Sequence, residues 1–226
     1  MADQSDVPVD SRTSYRRVQL GIARGERLPL RLRHALRMWL GLYELEIAGH
    51  FRRLVRPRMV AYNVGAGSGY YALALARRTG ARVYAFDADE AACVHLARTA
   101  RENGRDIQVA RALVGDTTDA AAGALRLDDF AARTGEMPAF VIADIEGAEA
   151  SMLRGARQIL EKARPAWIIE THGLAVEEEC RRILREADYD VLRVNQRTWL
   201  RESRPDPENR WIVATPTHPA TPPAGI

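Results

Sequence analysis

Lysine is almost missing from this 226-residue chain: Lys162 is its one lysine, and arginine supplies the rest of 33 basic residues. That scarcity excludes two nucleotide chemistries. A phosphate-binding loop needs Gly-Lys, and Lys162 follows Glu161. A short-chain dehydrogenase needs a tyrosine four residues before its lysine, and position 158 is Gln158. Cysteine is scarce too. Cys93 and Cys180 stand alone, without a Cys-x-x-Cys pair, and read as free thiols in a reducing compartment. No apolar run approaches the length that crosses a bilayer, so no membrane partner is expected. Residues 1–10 carry Asp3, Asp6 and Asp10 without an apolar stretch, unlike a secretory signal, and the expected location is cytoplasmic. Acidic residues number 30, interspersed with the basic ones, for a net charge of +3. That balance implies no nucleic-acid partner, and coding bias accounts for the arginine preference. Oligomeric state is not readable.

What is present is a core. The chain is 46% hydrophobic, enough for one sizeable α/β domain with decorations. Residues 1–13 are polar and expected to be disordered, as is the proline-rich tail 216–226. Between Leu30 and Val55 apolar residues recur at helical spacing, from Leu32 and Leu36 to Phe51 and Leu54, so residues 14–57 read as a helical cap. Residues 58–215 alternate. Strands are expected at Met59–Val64, Arg82–Asp87, Ile107–Leu113, Ala139–Asp144, Ala166–Thr171, Tyr189–Val194 and Arg210–Ala214. Helices are expected at Tyr70–Arg78, Glu90–Asn103, Glu149–Leu160 and Val176–Ala187. That order argues for a mostly parallel sheet covered on both faces. The last two strands, separated by Asn195–Asn209 without helical periodicity, form an antiparallel edge hairpin.

The first strand runs into Gly65-Ala66-Gly67-Ser68-Gly69, a helix follows at once, and the second strand ends on Asp87. Glycines let a backbone approach a ligand, and a carboxylate about 20 residues on sits where a ribose hydroxyl would be held. The spacing Gly-x-Gly-x-Gly, with Tyr70 next, departs from the dinucleotide fingerprint. The expected ligand is a ribose-bearing nucleoside with no phosphate clamp. S-adenosylmethionine fits, with Asp87 on the ribose and the loop against the amino-acid part.

A second constellation follows the fourth strand. Asp144, Glu146 and Glu149 emerge together at its C-terminal end, where open α/β sheets place ligands. Glu149 also falls in a first helical turn, where negative charge is stabilising in itself. The next strand ends in Glu170 and His172, two residues apart and so expected on one side. Among five histidines His172 alone stands at such a strand end, a candidate base with Asp144 orienting substrate or cofactor. A weaker expectation places a divalent metal, Mg²⁺, among Asp144, Glu146, Glu170 and His172.

At these residues the sequence resembles the FkbM-type methyltransferases, S-adenosylmethionine-dependent enzymes with the class I fold. The matching stretches are YNVGAGSGYYALALA, VYAFDADEAA, LRLDDF, IADIEGAEASMLRGA and PAWIIETHG, in family order; DIEGAE followed by LRGA is the most specific. The resemblance implies a seven-stranded Rossmann-like sheet, an S-adenosylmethionine-binding domain over 58–215, and methyl transfer to a hydroxyl of a sugar or secondary metabolite. It implies that Gly65, Ala66, Gly67 and Gly69 cradle the methionine end beside Asn63, and that Asp87 and Ala88 serve the ribose. Gly115 and Asp116 would lie near the adenine, Asp144 beside the sulfonium, and Glu44 near the cofactor. Three positions depart from the family: Asn63 stands for an aspartate, Asp87 for a glutamate, and Ile142 for a lysine that would partner Asp144 or Glu146. Two other readings stay open, a non-catalytic nucleoside-binding protein and, less favoured by the loop spacing, a nicotinamide-dependent oxidoreductase.

Overall fold

A computed structural model describes residues 14–30, 32–197 and 208–218. The chain divides into two units, Met1–Leu113 and Val114–Ile226. The expected disordered segment 1–13 and most of the tail lie outside the described residues.

The first unit opens with strands rather than helix. β1 (Ser14–Arg17) pairs antiparallel with β2 (Arg27–Leu30), Ser14 opposite Leu30 and Arg17 opposite Arg27. The expectation of a helical cap over all of 14–57 is therefore corrected for its first third. The reason is local: Gly21 and Gly25 take left-handed φ of 79° and 89°, and Leu28 and Leu30 are buried at the two-residue period of a strand. Gly21 and Gly41 also cross at close range. A Cβ on Gly41 would stand 2.0 Å from the Leu20 carbonyl oxygen. That crossing docks the hairpin turn onto the end of α1 (Leu32–Leu40). Gly41 and the left-handed Glu44 (φ 45°) then split the expected single helix, and α2 (Leu45–Leu54) buries Ile47, Ala48 and Phe51.

Alternation follows as the apolar runs foretell: β3 (Ala61–Val64), α3 (Tyr70–Thr79), β4 (Val83–Asp87), α4 (Glu90–Glu102) and β5 (Ile107–Arg111). β3, β4 and β5 run parallel in that order, Ala61 beside Val83 and Val83 beside Ile107. Every residue of β3 is buried, as befits a strand covered on both faces. Asp89 caps α4 by accepting from the Ala91 N–H at 2.9 Å.

A two-residue ladder, β6 (Leu113–Val114) with β7 (Ala124–Leu125), leads into α5 (Leu127–Thr134), a helix absent from the sequence expectations. The second unit continues with β8 (Phe140–Ala143), α6 (Glu149–Arg154), a π-turn at Ile159–Ala163, β9 (Ala166–Thr171), α7 (Leu174–Glu186), β10 (Tyr189–Val194) and β11 (Arg210–Pro216). The helix expected over Glu149–Leu160 stops six residues short. Its continuation is restarted by buried Asp128, whose carboxylate accepts from the Gln158 and Ile159 N–H groups at 3.0 Å each. β8 and β9 are parallel; β11 lies between β9 and β10, antiparallel to both, which is the expected hairpin with its second strand inserted. Trp167 and Trp211 fill the core there, both fully buried. Seven strands, β3–β5 and β8–β11, make one mostly parallel sheet, an α/β Rossmann-like fold. Among the described residues no helix is long and apolar enough to cross a membrane.

Candidate active site

In the first unit the glycine turn closes on itself. Gly65, Gly67 and Gly69 all adopt positive φ, at 74°, 45° and 83°, a backbone that side chains resist. The N–H groups of Gly65 and Ala66 both donate to the Phe86 carbonyl at 2.9 Å, and Gly69 donates to Ala66 at 2.8 Å. The Gly67 N–H donates to Asp87 Oδ2 at 2.7 Å. Four N–H groups that could grip a phosphate are thus committed inside the protein. Gly65 and Gly67 stay partly exposed without side chains, which suits close approach of the phosphate-free ligand read from the spacing. Gly69 has a second duty: a Cβ there would meet the Leu96 Cδ1 at 2.4 Å.

Asp87, expected on a ribose, is a brace as well. Its Oδ1 accepts from the Asp89 N–H at 2.9 Å while Oδ2 holds Gly67. Each oxygen keeps a second lone pair, and the side chain is partly exposed, so a hydroxyl donor fits there. Ala88 follows it on the exposed side. Asn63, at the end of β3, is 2% exposed, and its Oδ1 has no hydrogen-bond partner among the described residues. A buried acceptor left unmade costs about 1–3 kcal/mol. An ammonium such as that of a methionine moiety would satisfy it, so the residues present fit S-adenosylmethionine. Glu44, also buried, accepts from the Tyr71 hydroxyl within a cluster of Tyr43, Tyr70 and Tyr71 rings. It acts there on the protein itself.

In the second unit three carboxylates converge on one imidazole. Glu149 is fully buried at the start of α6; its Oε1 accepts from the Gly147 N–H at 3.0 Å and meets His172 Nδ1 at 2.7 Å. A carboxylate only accepts, so Nδ1 carries the proton and Nε2 is the basic nitrogen. Nε2 faces Asp144 Oδ1 at 3.5 Å and Glu146 Oε2 at 3.4 Å. The loop between β8 and α6 makes this possible, with Glu146 at φ 52° and Gly147 at φ 104° turning the chain sharply. Burial alone would depress the His172 pKa; the Glu149 bond and the charges of Asp144, Glu149 and Glu146 outweigh it and raise it above the usual imidazole value. The partner that a lysine at Ile142 would have supplied is His172 itself, while Ile142 is buried in β8.

Two site expectations change. Glu170 does not join the cluster: it is inside β9, 4% exposed, opposite Trp211. The same-side rule fails because β9 ends at Thr171 and the chain turns at Gly173 (φ 94°) before α7. Asp144, Glu146 and His172 bring ligand atoms within 4.8 Å of one another and are the residues that could hold a metal. Glu149, read from sequence equally as a site carboxylate and as a helix-dipole charge, is the residue that orients His172. Its signal was burial in an apolar helix start, visible only with the fold. Gly115 and Asp116 take structural partners here. The Gly115 carbonyl lies where a Cβ on Gly155 would fall, at 1.9 Å. The Asp116 N–H donates to Ser151 Oγ at 3.1 Å, and its carboxylate, held below the usual range by the Arg154 hydrogen bond, meets Arg154 Nε at 3.3 Å. Within the Asn195–Asn209 connection, residues 198–207 lie outside the described residues.

Residues 115–191 match the family described as the Methyltransferase FkbM domain. No curated protein sequence is matched. Among solved structures the chain is similar to a methyltransferase FkbM from Methylobacillus flagellatus KT, at 19% identity and TM-score 0.55, covering 74% of this chain and half of that one. It is similar to an S-adenosylmethionine-dependent O-methyltransferase from Thermotoga maritima, at 15% identity and TM-score 0.57, covering 87% and 75%. A third likeness is to an Aeropyrum pernix fibrillarin with natively bound S-adenosyl-L-methionine, at 15% identity and TM-score 0.51, covering 71% and 67%. At such identities the likeness concerns the fold. Residues 115–191 thus resemble the FkbM methyltransferase domain, and the chain has the class I methyltransferase fold.

Proposed function

We propose that this chain is an S-adenosylmethionine-dependent O-methyltransferase acting on a hydroxyl of a small molecule, a sugar or a secondary metabolite. The observation that carries the reading is the His172 imidazole, its Nδ1 fixed by buried Glu149 and its Nε2 left basic. Weakly acidic hydroxyls need such a base, whereas a neutral amine already carries its nucleophilic pair. Structural neighbours that act on or hold S-adenosylmethionine support the donor.

S-adenosylmethionine, when bound, supplies a methyl on a sulfonium that leaves as a thioether. The Gly65–Gly69 turn and Asp87 would hold that donor, with Asn63 Oδ1 receiving its ammonium. His172 Nε2 would take the proton of the acceptor hydroxyl, making its oxygen the nucleophile. Glu149 would stabilise the resulting imidazolium, and Asp144 would orient the acceptor. Titration calorimetry with S-adenosylhomocysteine and with NAD tests the donor; heat with NAD alone would sink it. Release of S-adenosylhomocysteine across a panel of hydroxyl acceptors tests catalysis, and its absence with every acceptor favours a binding protein without turnover.

A second reading of the cluster is favoured by one observation. The ligand atoms of Asp144, Glu146 and His172 lie close enough to share a divalent cation, with Glu149 behind the histidine as carboxylates stand behind metal-bound imidazoles. Turnover that falls with EDTA and returns with Mg²⁺ or Mn²⁺ would replace the base reading with this one.

A further inference from the structure

The first unit contains a cleft of about 460 Å³ that shares no residue with the glycine turn or Asp87. Its wall is unusual in charge. Arg52, Arg77, Arg78 and Arg105 line it with Gly21, Ile22 and Phe51, and among the described residues no carboxylate does. We propose that this cleft binds a phosphate-bearing small molecule through those four guanidiniums.

Two of them are placed in advance. Glu26, 2% exposed, takes the Arg105 Nε at 3.1 Å and a second bond from its Nη2, a fork-to-fork pair. Arg78 donates its Nε to the Val55 carbonyl at 2.8 Å and its Nη2 to the Arg52 carbonyl. Each of these bonds fixes a plane while spending only part of a guanidinium's five N–H groups. Arg77 lies 3.7 Å from the same Glu26. Among the described residues four cations thus stand against one carboxylate, an imbalance that a doubly charged anion would correct. The preference of helix ends for basic residues explains one arginine in the last turn of α2 and of α3. It does not explain why these two ends and the turn before β5 converge on one cleft. The volume falls in the range of small-molecule sites, roughly 300–1,000 Å³. Planar forks held in place are the chemistry that selects phosphate over a simple halide. The arginine preference of the sequence, attributed above to coding bias, has a local use here.

Isothermal titration of the full chain with pyrophosphate and with inorganic phosphate, at low ionic strength, tests the proposal. Pyrophosphate should bind. R52A/R77A should weaken it by about tenfold or more, about 1.4 kcal/mol, while S-adenosylhomocysteine affinity stays unchanged. R52K/R77K, which keeps the charge and the fold but not the fork, should also bind more weakly than wild type. No heat with pyrophosphate, or equal affinity in wild type and R52K/R77K, would overturn the site. A single-stranded oligonucleotide that outcompetes pyrophosphate and is lost in the same variants would overturn the small-molecule assignment. Because cofactor binding is read separately, this inference stands or falls apart from the function proposed above.

Discussion

The glycine turn of the first unit and the carboxylate–histidine cluster of the second solve opposite problems. The turn satisfies its own polar groups: Phe86, Ala66 and Asp87 consume four of its N–H donors, and Gly65 and Gly67 present no side chain. The cluster keeps its demand outstanding. One imidazole serves three carboxylates, and the Glu149 Oε2 has no hydrogen-bond partner among the described residues. The contrast separates holding from reacting. A surface with settled hydrogen bonds can bind by shape, whereas protons move where charge is concentrated and partly desolvated.

That division can be broken by mutation. His172→Ala should lower turnover about 10²–10⁴-fold, the range of a positioned acid–base group, and leave S-adenosylhomocysteine affinity within a few-fold. Unchanged turnover would place the chemistry elsewhere. Gly155→Ala comes next and sharpens the comparison from the structural side. Its Cβ would overlap the Gly115 carbonyl at 1.9 Å, backbone against backbone, for an expected loss of about 3 kcal/mol in urea unfolding. Asp87→Ala should do the reverse of His172→Ala. It removes the acceptor for the Gly67 and Asp89 N–H groups, so cofactor affinity should fall about tenfold, about 1.4 kcal/mol, with turnover at saturation little changed. A drop in saturated turnover instead would merge the two regions' roles.

The smallest effect is linked to pH. Glu149 and the neighbouring carboxylates raise the His172 pKa above its unfolded value. The stabilisation they give is therefore full below about pH 6.5 and is lost as pH rises through the folded value. The difference in unfolding free energy between wild type and His172→Ala should shrink across that rise. A difference that grows with pH would contradict the raised pKa.

Legibility followed the same line. β3, β4, β8 and β9 were readable because buried parallel strands are continuous apolar runs, and the glycine turn because only glycine takes its backbone angles. The β1–β2 hairpin was not, since four-residue strands separated by Gly21 and Gly25 carry too little pattern next to a strong helical period. α5 was hidden for a related reason: eight residues are two turns, and its Asp128 serves a later segment. Within the site, Asp144 and His172 were visible at strand ends, and they do meet. Glu170 was included and Glu149 underrated because side-chain meeting depends on where β9 stops and how Glu146 and Gly147 turn, which alternation cannot tell.

The two cysteines, one in each unit, have a practical consequence. Cys93 is buried beside the Asp87 carbonyl at 3.6 Å and its thiol is pushed up to about 11; Cys180, wholly buried in α7, is pushed up to about 12, in both cases by burial first. Neither is a thiolate in the native state at neutral pH, so an alkylating reagent reaches each only when its helix detaches. Mass spectrometry of the modified peptides would then clock the two halves separately, giving each its own rate of local opening without any engineered label.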